Sequence, residues 1–293
     1  MNKPDISIFG SAARPENWPL FHRSLGTNDL EFEIVFVGPN PPKERLPDNF
    51  KYIRSNVKPA QCFEIAARQS SGELLMWTAD DSLFVTPSPL DKLYRTYLDC
   101  EDENVLVSSN YDLPEGWDRF YSGDMSSPTT ALNGLMSARL WRRLGGIDRK
   151  FIALGWDIDI DMRIHAMGGS IVMSDVYMDK DVEAAHKPRS RGSTLLRDHK
   201  STDIALLHAL WTKDGRIHFE RAAPFEPFSD SDILIRSQEP RGRWRYQNDL
   251  INRLMTSSVF YTLKGVRESL SGRAHRFEAR KIFTYLKHLS GRN

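Results

Sequence analysis

The feature that most constrains this chain is the alternation of short apolar runs with helix-like stretches between Asp5 and Met173. Asp5–Phe9 is an apolar run closed by Gly10-Ser11, and Arg14–Leu25 then predicts a helix with Pro15 in its first turn. Glu31–Val37 is β-rich and ends at Gly38-Pro39-Asn40-Pro41-Pro42, a run that cannot continue a central strand. Lys51–Ile53 predicts a further short strand and Ala60–Gln69 a helix, while Leu74–Thr78 predicts a buried strand whose end meets Asp80-Asp81. Strands separated by helices need crossovers rather than hairpins, so a largely parallel sheet is expected. The pattern continues with helices over Asp91–Leu98, Ser137–Leu144 and Asp157–Met167 and strands over Val105–Ser108 and Ser170–Met173. Around Pro188–Gly192 it dissolves into a polar, basic loop. Beyond Asp198 mostly helix is expected, with a break near Pro224–Pro227. The expected organisation is an α/β domain over residues 1–198 and a mostly helical, basic extension over residues 199–293.

Two cysteines, Cys62 and Cys100, with no CxxC pair, point away from a disulfide framework and from a thiolate zinc site. The opening MNKPDISIFG lacks the basic, apolar and small-residue order of a signal peptide, and no window approaches eighteen apolar residues. The expected location is cytoplasmic. The net charge of +1 hides an asymmetry: residues 236–293 carry thirteen Lys or Arg against four Asp or Glu, leaving residues 1–235 acidic. With an acidic body and no recognition motif beside the basic tail, nucleic acid is not an expected partner.

Two acidic elements carry the chemistry. Asp80-Asp81 follows an apolar strand directly, and in open α/β sheets ligands bind outside the carboxyl ends of the strands. Adjacent carboxylates call for a cation or hydrogen-bond donors, and hard oxygen ligands beside phosphate suit Mg²⁺ or Mn²⁺. The same doublet would also serve as a helix cap or turn. In Trp156-Asp157-Ile158-Asp159-Ile160-Asp161-Met162-Arg163, an extended backbone would put all three carboxylates on one face. A helix would pair Asp157 with Asp161 and turn Asp159 away. The first acid of such a helix is held ionised by the helix dipole, as a base or as a solvated helix start. Arg14 after the first strand and Lys58 in a following loop are candidate phosphate contacts, or surface charges at helix starts. Cys62, His22 and His165 are expected to be structural.

The order of these elements resembles family 2 of the inverting glycosyltransferases. Gly10-Ser11-Ala12-Ala13-Arg14-Pro15 is similar to that family's first loop, and Ser71-Gly72-Glu73 through Asp80-Asp81 to its strand and metal motif. Leu144-Gly145-Gly146-Ile147-Asp148, then Gly155-Trp156-Asp157-Ile158-Asp159 and Arg163, resembles its acceptor-side signature. The resemblance covers about residues 5–190. It implies a GT-A fold, Rossmann-like and α/β, with a mixed, mostly parallel sheet flanked by helices, and a transferase using a nucleotide-diphosphate sugar. Carried over by position, Ser11, Arg14, Lys58 and Asp80 would contact the donor, with Asp80 on the ribose. Asp81 would ligate Mn²⁺ or Mg²⁺ at the diphosphate, Asp157 would be the general base, and His186 would be a second metal or phosphate ligand. The acceptor would be a glycan, lipid-linked or free. The chain departs from the pattern at Gly38-Pro39-Asn40, where an Asp is common, at Trp156, where a Glu is usual, and at Ser82, where the metal motif has a third acid. The departures at Trp156 and Gly38-Pro39-Asn40 also fit a degenerate domain that binds a sugar or nucleotide without turning it over.

In the tail, Arg241, Arg243, Trp244, Arg245 and Tyr246 precede apolar residues at near-helical spacing, among them Leu250, Ile251, Leu254 and Met255. Such a segment either holds a protein on an anionic membrane surface or packs its stripe on the catalytic domain or a second copy of the chain.

Overall fold

The computed structural model describes residues 3–42, 45–111, 116–180, 191–230 and 233, with backbone alone for Lys180 and residues 191–198. All of them fall within the compact unit Met1–Trp244. The elements are β1 (Ile6–Ser11), α1 (Trp18–Ser24), β2 (Phe32–Gly38), β3 (Phe50–Arg54), α2 (Pro59–Arg68), β4 (Leu74–Trp77), β5 (Ser82–Phe84) and α3 (Pro89–Asp99). There follow β6 (Val105–Tyr111), β7 (Gly134–Ser137), α4 (Ala138–Leu144), α5 (Trp156–Ala166), β8 (Ser170–Lys180), α6 (Arg191–Trp211), β9 (Thr212–Lys213) and β10 (Arg216–Ile217). Eight strands form one sheet in the order β3-β2-β1-β4-β7-β6-β8-β5. The expected Rossmann-like α/β arrangement, a mixed and mostly parallel sheet flanked by helices, is present. β3, β2, β1 and β4 run parallel, as do β6 and β8, while β7 and β5 are reversed.

Both faces of the sheet are covered, which is why the strands read as continuous apolar runs rather than alternating ones. Ile6, Ile8, Ile34 and Phe36 face a layer containing Trp18 and Phe21 of α1 and Leu90 and Leu93 of α3. Their neighbours Phe9, Val35 and Val37 face the opposite layer, with Ile65 of α2, Trp141 of α4, Trp156 and Ile160 of α5 and Leu207 and Trp211 of α6.

The register fixes where the chemistry can lie. Phe9 of β1 stands opposite both Val35 and Trp77, and Gly38 opposite Arg54. The connections after β1, β2, β3 and β4 therefore leave the sheet along one edge. Gly38 is required there, because a Cβ at that position would collide with the carbonyl of Ala12. Asn40 donates to the Ala13 carbonyl at 2.7 Å and Tyr52 to that of Gly38 at 2.9 Å. The Gly38-Pro39-Asn40 run thus buttresses the loop that carries Arg14.

Several elements differ from expectation for physical reasons. The first helix starts at Trp18 after a 3-10 turn, Pro15–Asn17, because the Arg14 N–H is donated to the Asp80 carboxylate. β5 and β7 are too short, and Gly134-Leu135-Met136-Ser137 too poor in β-branched residues, to be legible in advance. β8 runs on to Lys180 through Ser174, Asp175 and Asp179, polar residues that hide its continuation alongside β5 and β6. α6 begins at Arg191, inside the predicted loop, and runs across residue 198. After it stands a hairpin, turned at Asp214-Gly215 with positive φ at both positions, where helix was expected.

Candidate functional site

Arg14, Asp80 and Asp81 form one cluster at the edge where the β1 and β4 connections emerge. The Arg14 guanidinium lies on Asp80 Oδ1 through Nε (2.9 Å) and Nη2 (2.6 Å), and its backbone N–H is 2.6 Å from Asp80 Oδ2. Trp18 Nε1 reaches the same Oδ2 at 3.4 Å, and Asn17 Nδ2 donates to the Asp80 carbonyl at 3.2 Å. Asp80 is buried, with 1% of its surface exposed, so its carboxylate is spent on anchoring Arg14. Burial pushes its pKa up against the opposing pull of the guanidinium. Asp81 differs: its side chain is 26% exposed, and Oδ2 pairs with Arg14 Nη1 at 2.8 Å. Desolvation weakens the Arg14 charge, but the two carboxylates outweigh it and raise the pKa above its usual value. Ser82, next in sequence, accepts from the Tyr111 hydroxyl at 2.9 Å, and Asn133 Nδ2 donates to that same hydroxyl. This fixes the start of β5, directly after the doublet.

The remaining donor-side candidates lie along the same edge. Ser11 ends β1, and its hydroxyl hydrogen-bonds the buried Cys62, whose thiol burial pushes up to about 12. Lys58 is the N-cap residue of α2, three residues after Ser55, whose N–H is donated to the Gly38 carbonyl. A cavity of about 580 Å³ lies between α1 and the β2–β3 connection, walled by Pro15, Trp18, His22, Arg45, Pro47 and Phe50 among others. It shares Trp18 with the Asp80 anchor but is not lined by Asp81, Lys58 or Asp157, and the chemistry is not placed there.

Asp157 stands in the first turn of α5, whose start is made possible by Gly155 with φ 77°. Its Oδ1 accepts the Ile158 N–H at 3.0 Å, and the helix dipole favours the ionised form. The segment is helical, so Asp159 turns away as the periodicity requires. Asp159 accepts from Arg163 Nε (3.0 Å), Trp211 Nε1 (2.9 Å) and Arg221 Nε (3.1 Å), and Arg221 also pairs with Asp148 at 2.5 Å. Arg163 further donates to the carbonyls of Leu144 and Gly146. The loop before α5 is held by Asp203 of α6, whose carboxylate accepts the N–H groups of Ile152, Ala153 and Leu154 at 2.8–3.2 Å. Trp156 is a core residue, packed on Phe63 and Trp77 with ring centroids 4.5 and 5.7 Å away. Since Trp77 lies three residues before Asp80, these rings tie the start of α5 to the end of β4.

Residues 199–230, assigned to the extension by sequence, are bound into the sheet domain by Asp203, Trp211 and Arg221. The roles of Asp203, Arg221, Asp148, Tyr111 and Asn133 carry no local sequence signal. His165 Nε2 donates to the Thr129 carbonyl at 2.8 Å, and His22 Nε2 lies 3.2 Å from Asn49 Oδ1. His186 and the basic tail lie outside the described residues.

Among the described residues no group of three or more His, Cys, Asp or Glu could hold a metal ion. A cation bound mainly by diphosphate oxygens needs only one or two carboxylates, and the partly exposed Asp81 fits that requirement where the buried Asp80 does not.

No family model matches the sequence, and no curated protein matches it. Among solved structures, residues 1–349 of S. aureus TarS, in complex with UDP, align over 72% of this chain and 76% of that one, at 15% identity and a TM-score of 0.45. The mannosyltransferase PcManGT from Pyrobaculum calidifontis, in complex with GDP-Man and Mn²⁺, aligns over 70% of this chain and 64% of that one, at 18% identity and a TM-score of 0.48.

Proposed function

We propose that this chain transfers a sugar from a nucleotide-diphosphate donor to a hydroxyl of a glycan or lipid-linked glycan, with inversion at the anomeric carbon. The observation that supports the reading is an arginine-bound aspartate doublet just beyond β4, whose Trp77 packs on Trp156, the neighbour of the helix-start carboxylate Asp157. Arg14, oriented by Asp80, presents positive charge beside Asp81 where a diphosphate would lie, with Ser11 at the end of β1 and Lys58 at the start of α2 as further candidate contacts. Asp157 takes the acceptor hydroxyl proton. The acceptor oxygen then attacks the anomeric carbon from the face opposite the diphosphate, and the bond to that leaving group breaks with its electron pair going to the diphosphate oxygen.

Asp81, with His186 as a second candidate, would hold Mn²⁺ or Mg²⁺, and when bound such an ion neutralises charge on the diphosphate. Trp156 lies in the core, so its replacement of a Glu serves packing and does not favour a degenerate domain. The test is a panel of nucleotide-diphosphate sugars with and without Mn²⁺, scored by thermal shift and by nucleotide release. Stabilisation by at least one donor together with release is expected; binding without release under every condition would replace the enzyme with a binding protein.

A further inference from the structure

Asp161 is fully buried in α5, and one of its carboxylate oxygens has no partner. Oδ2 accepts the Ala131 N–H at 2.8 Å, and Oδ1 is orphaned. A buried carboxylate is ordinarily paired with a cation or saturated with donors, and an exception of this kind calls for a cause. The arginine two residues on does not supply one, because Arg163 is engaged by Asp159 and two carbonyls. Around α5, Arg221 is held by Asp148 and Asp159, Arg143 of α4 pairs with Glu103, and Asp203 of α6 is saturated by three backbone N–H groups. The acids of β8, Asp175 and Asp179, are exposed, and β6 has none. On the loop that carries Ala131, Arg119 donates to Thr129 and faces Asp118, and His165, one turn on in α5, is held by the Thr129 carbonyl, so the charges that bear most on Asp161 are Asp157, Arg163 and Asp159 of its own helix.

We propose that Asp161 is a positioning residue for Asp157: a carboxylic acid that keeps its proton on Oδ1, one helical turn from the base and on the same helix face. Residues four apart on a helix are neighbours, and Asp157 and Asp161 stand in that relation. The neutral acid is the state that a site with one neutral donor and no ion-paired cation can hold, and burial drives the Asp161 pKa well above the carboxylate range against the distant pull of Arg163. While Asp161 is neutral, Asp157 stays ionised beside it. When Asp161 loses its proton, the new like charge tightens the hold of Asp157 on a proton, so the two groups titrate as a coupled pair. The effect on catalysis rests on Asp157 being the base, whereas the pairing itself does not.

The pairing can be read without a substrate. The full chain, labelled with ¹³C at aspartate carboxyls, is titrated by NMR alongside Asp157→Asn and Asp161→Asn variants that assign the two resonances. The Asp161 carbon should titrate above the ordinary carboxylate range, and the Asp157 carbon should show a second displacement at that same pH, absent in Asp161→Asn. An ordinary midpoint for Asp161, or an Asp157 curve unaltered by Asp161→Asn, overturns the proposal. Thermal unfolding gives an independent readout. A raised folded-state pKa means that wild-type stability falls as pH rises from the unfolded value, about 3.9, through the folded one. Asp161→Asn keeps an oxygen for the Ala131 N–H, so its melting temperature should match wild type near pH 4 and exceed it increasingly above. A constant offset at all pH values would reduce Asp161 to a packing residue. Coupled titration found together with full transfer by Asp157→Asn would support the pairing and sink Asp157 as the base.

Discussion

Neighbouring aspartates in one loop have separate duties here because one is buried and the other is not. Asp80 spends its carboxylate on Arg14, and removing it would strand a partly buried guanidinium, so Asp80→Ala should destabilise the fold by about 3 kcal/mol. Asp81 keeps a quarter of its surface in solvent, and Asp81→Asn should leave the melting temperature within a degree or two while abolishing metal-dependent donor binding. Calorimetry of a nucleotide diphosphate with and without Mn²⁺ checks this, and undiminished Mn²⁺-dependent binding in the variant would remove Asp81 from the metal site. Asp157→Asn should leave donor binding within about twofold and lower transfer by about 100-fold or more. A loss confined to donor affinity would place Asp157 on the wrong substrate.

At the scale of elements, the site depends on a clamp between α5 and α6. Asp203 is the last of three buried supports for the α5 start, together with the Asp159–Trp211 bond and the Asp148–Arg221 pair. Asp203→Ala would leave three backbone N–H groups near Phe151 and Leu154 without their acceptor, at a cost of about 3 kcal/mol. Denaturant unfolding should show that loss, and Asp203→Asn, which keeps an acceptor, should recover part of it; equal stability of Asp203→Ala and wild type would show that the clamp is not needed. The strand-and-helix order, the doublet and the helical Asp157–Asp161 pair were legible because each follows from local periodicity. The clamp was not, because its partners are 49 to 73 residues apart and chemistry of that range leaves no pattern in a window. Asp203 lies in a polar stretch that reads like any exposed helix, and Arg221 in a loop. β5 and β7 escaped for a related reason: strands of three and four residues take their identity from the neighbours they pair with.

At the scale of the whole molecule, charge is divided along the chain. The compact unit Met1–Trp244 holds the sheet and the candidate site, while residues 245–293 carry ten Lys or Arg against three Asp or Glu. We propose that this excess serves to hold the chain at an anionic membrane surface, where a lipid-linked acceptor would be found. Each basic residue near such a surface contributes about 1 kcal/mol, and the attraction decays over a Debye length of about 10 Å at 0.1 M salt. The full chain should therefore co-sediment with vesicles containing phosphatidylserine at low salt and be released at about 0.5 M salt, and it should ignore vesicles of phosphatidylcholine alone. A chain ending at Trp244 retains every residue of the candidate site, so it should bind a nucleotide diphosphate like the full chain while losing the vesicles. Equal sedimentation of the two chains would take membrane binding away from the tail. Loss of donor binding on truncation would instead make the tail a structural part of the catalytic unit, packing its apolar stripe on the protein rather than on lipid.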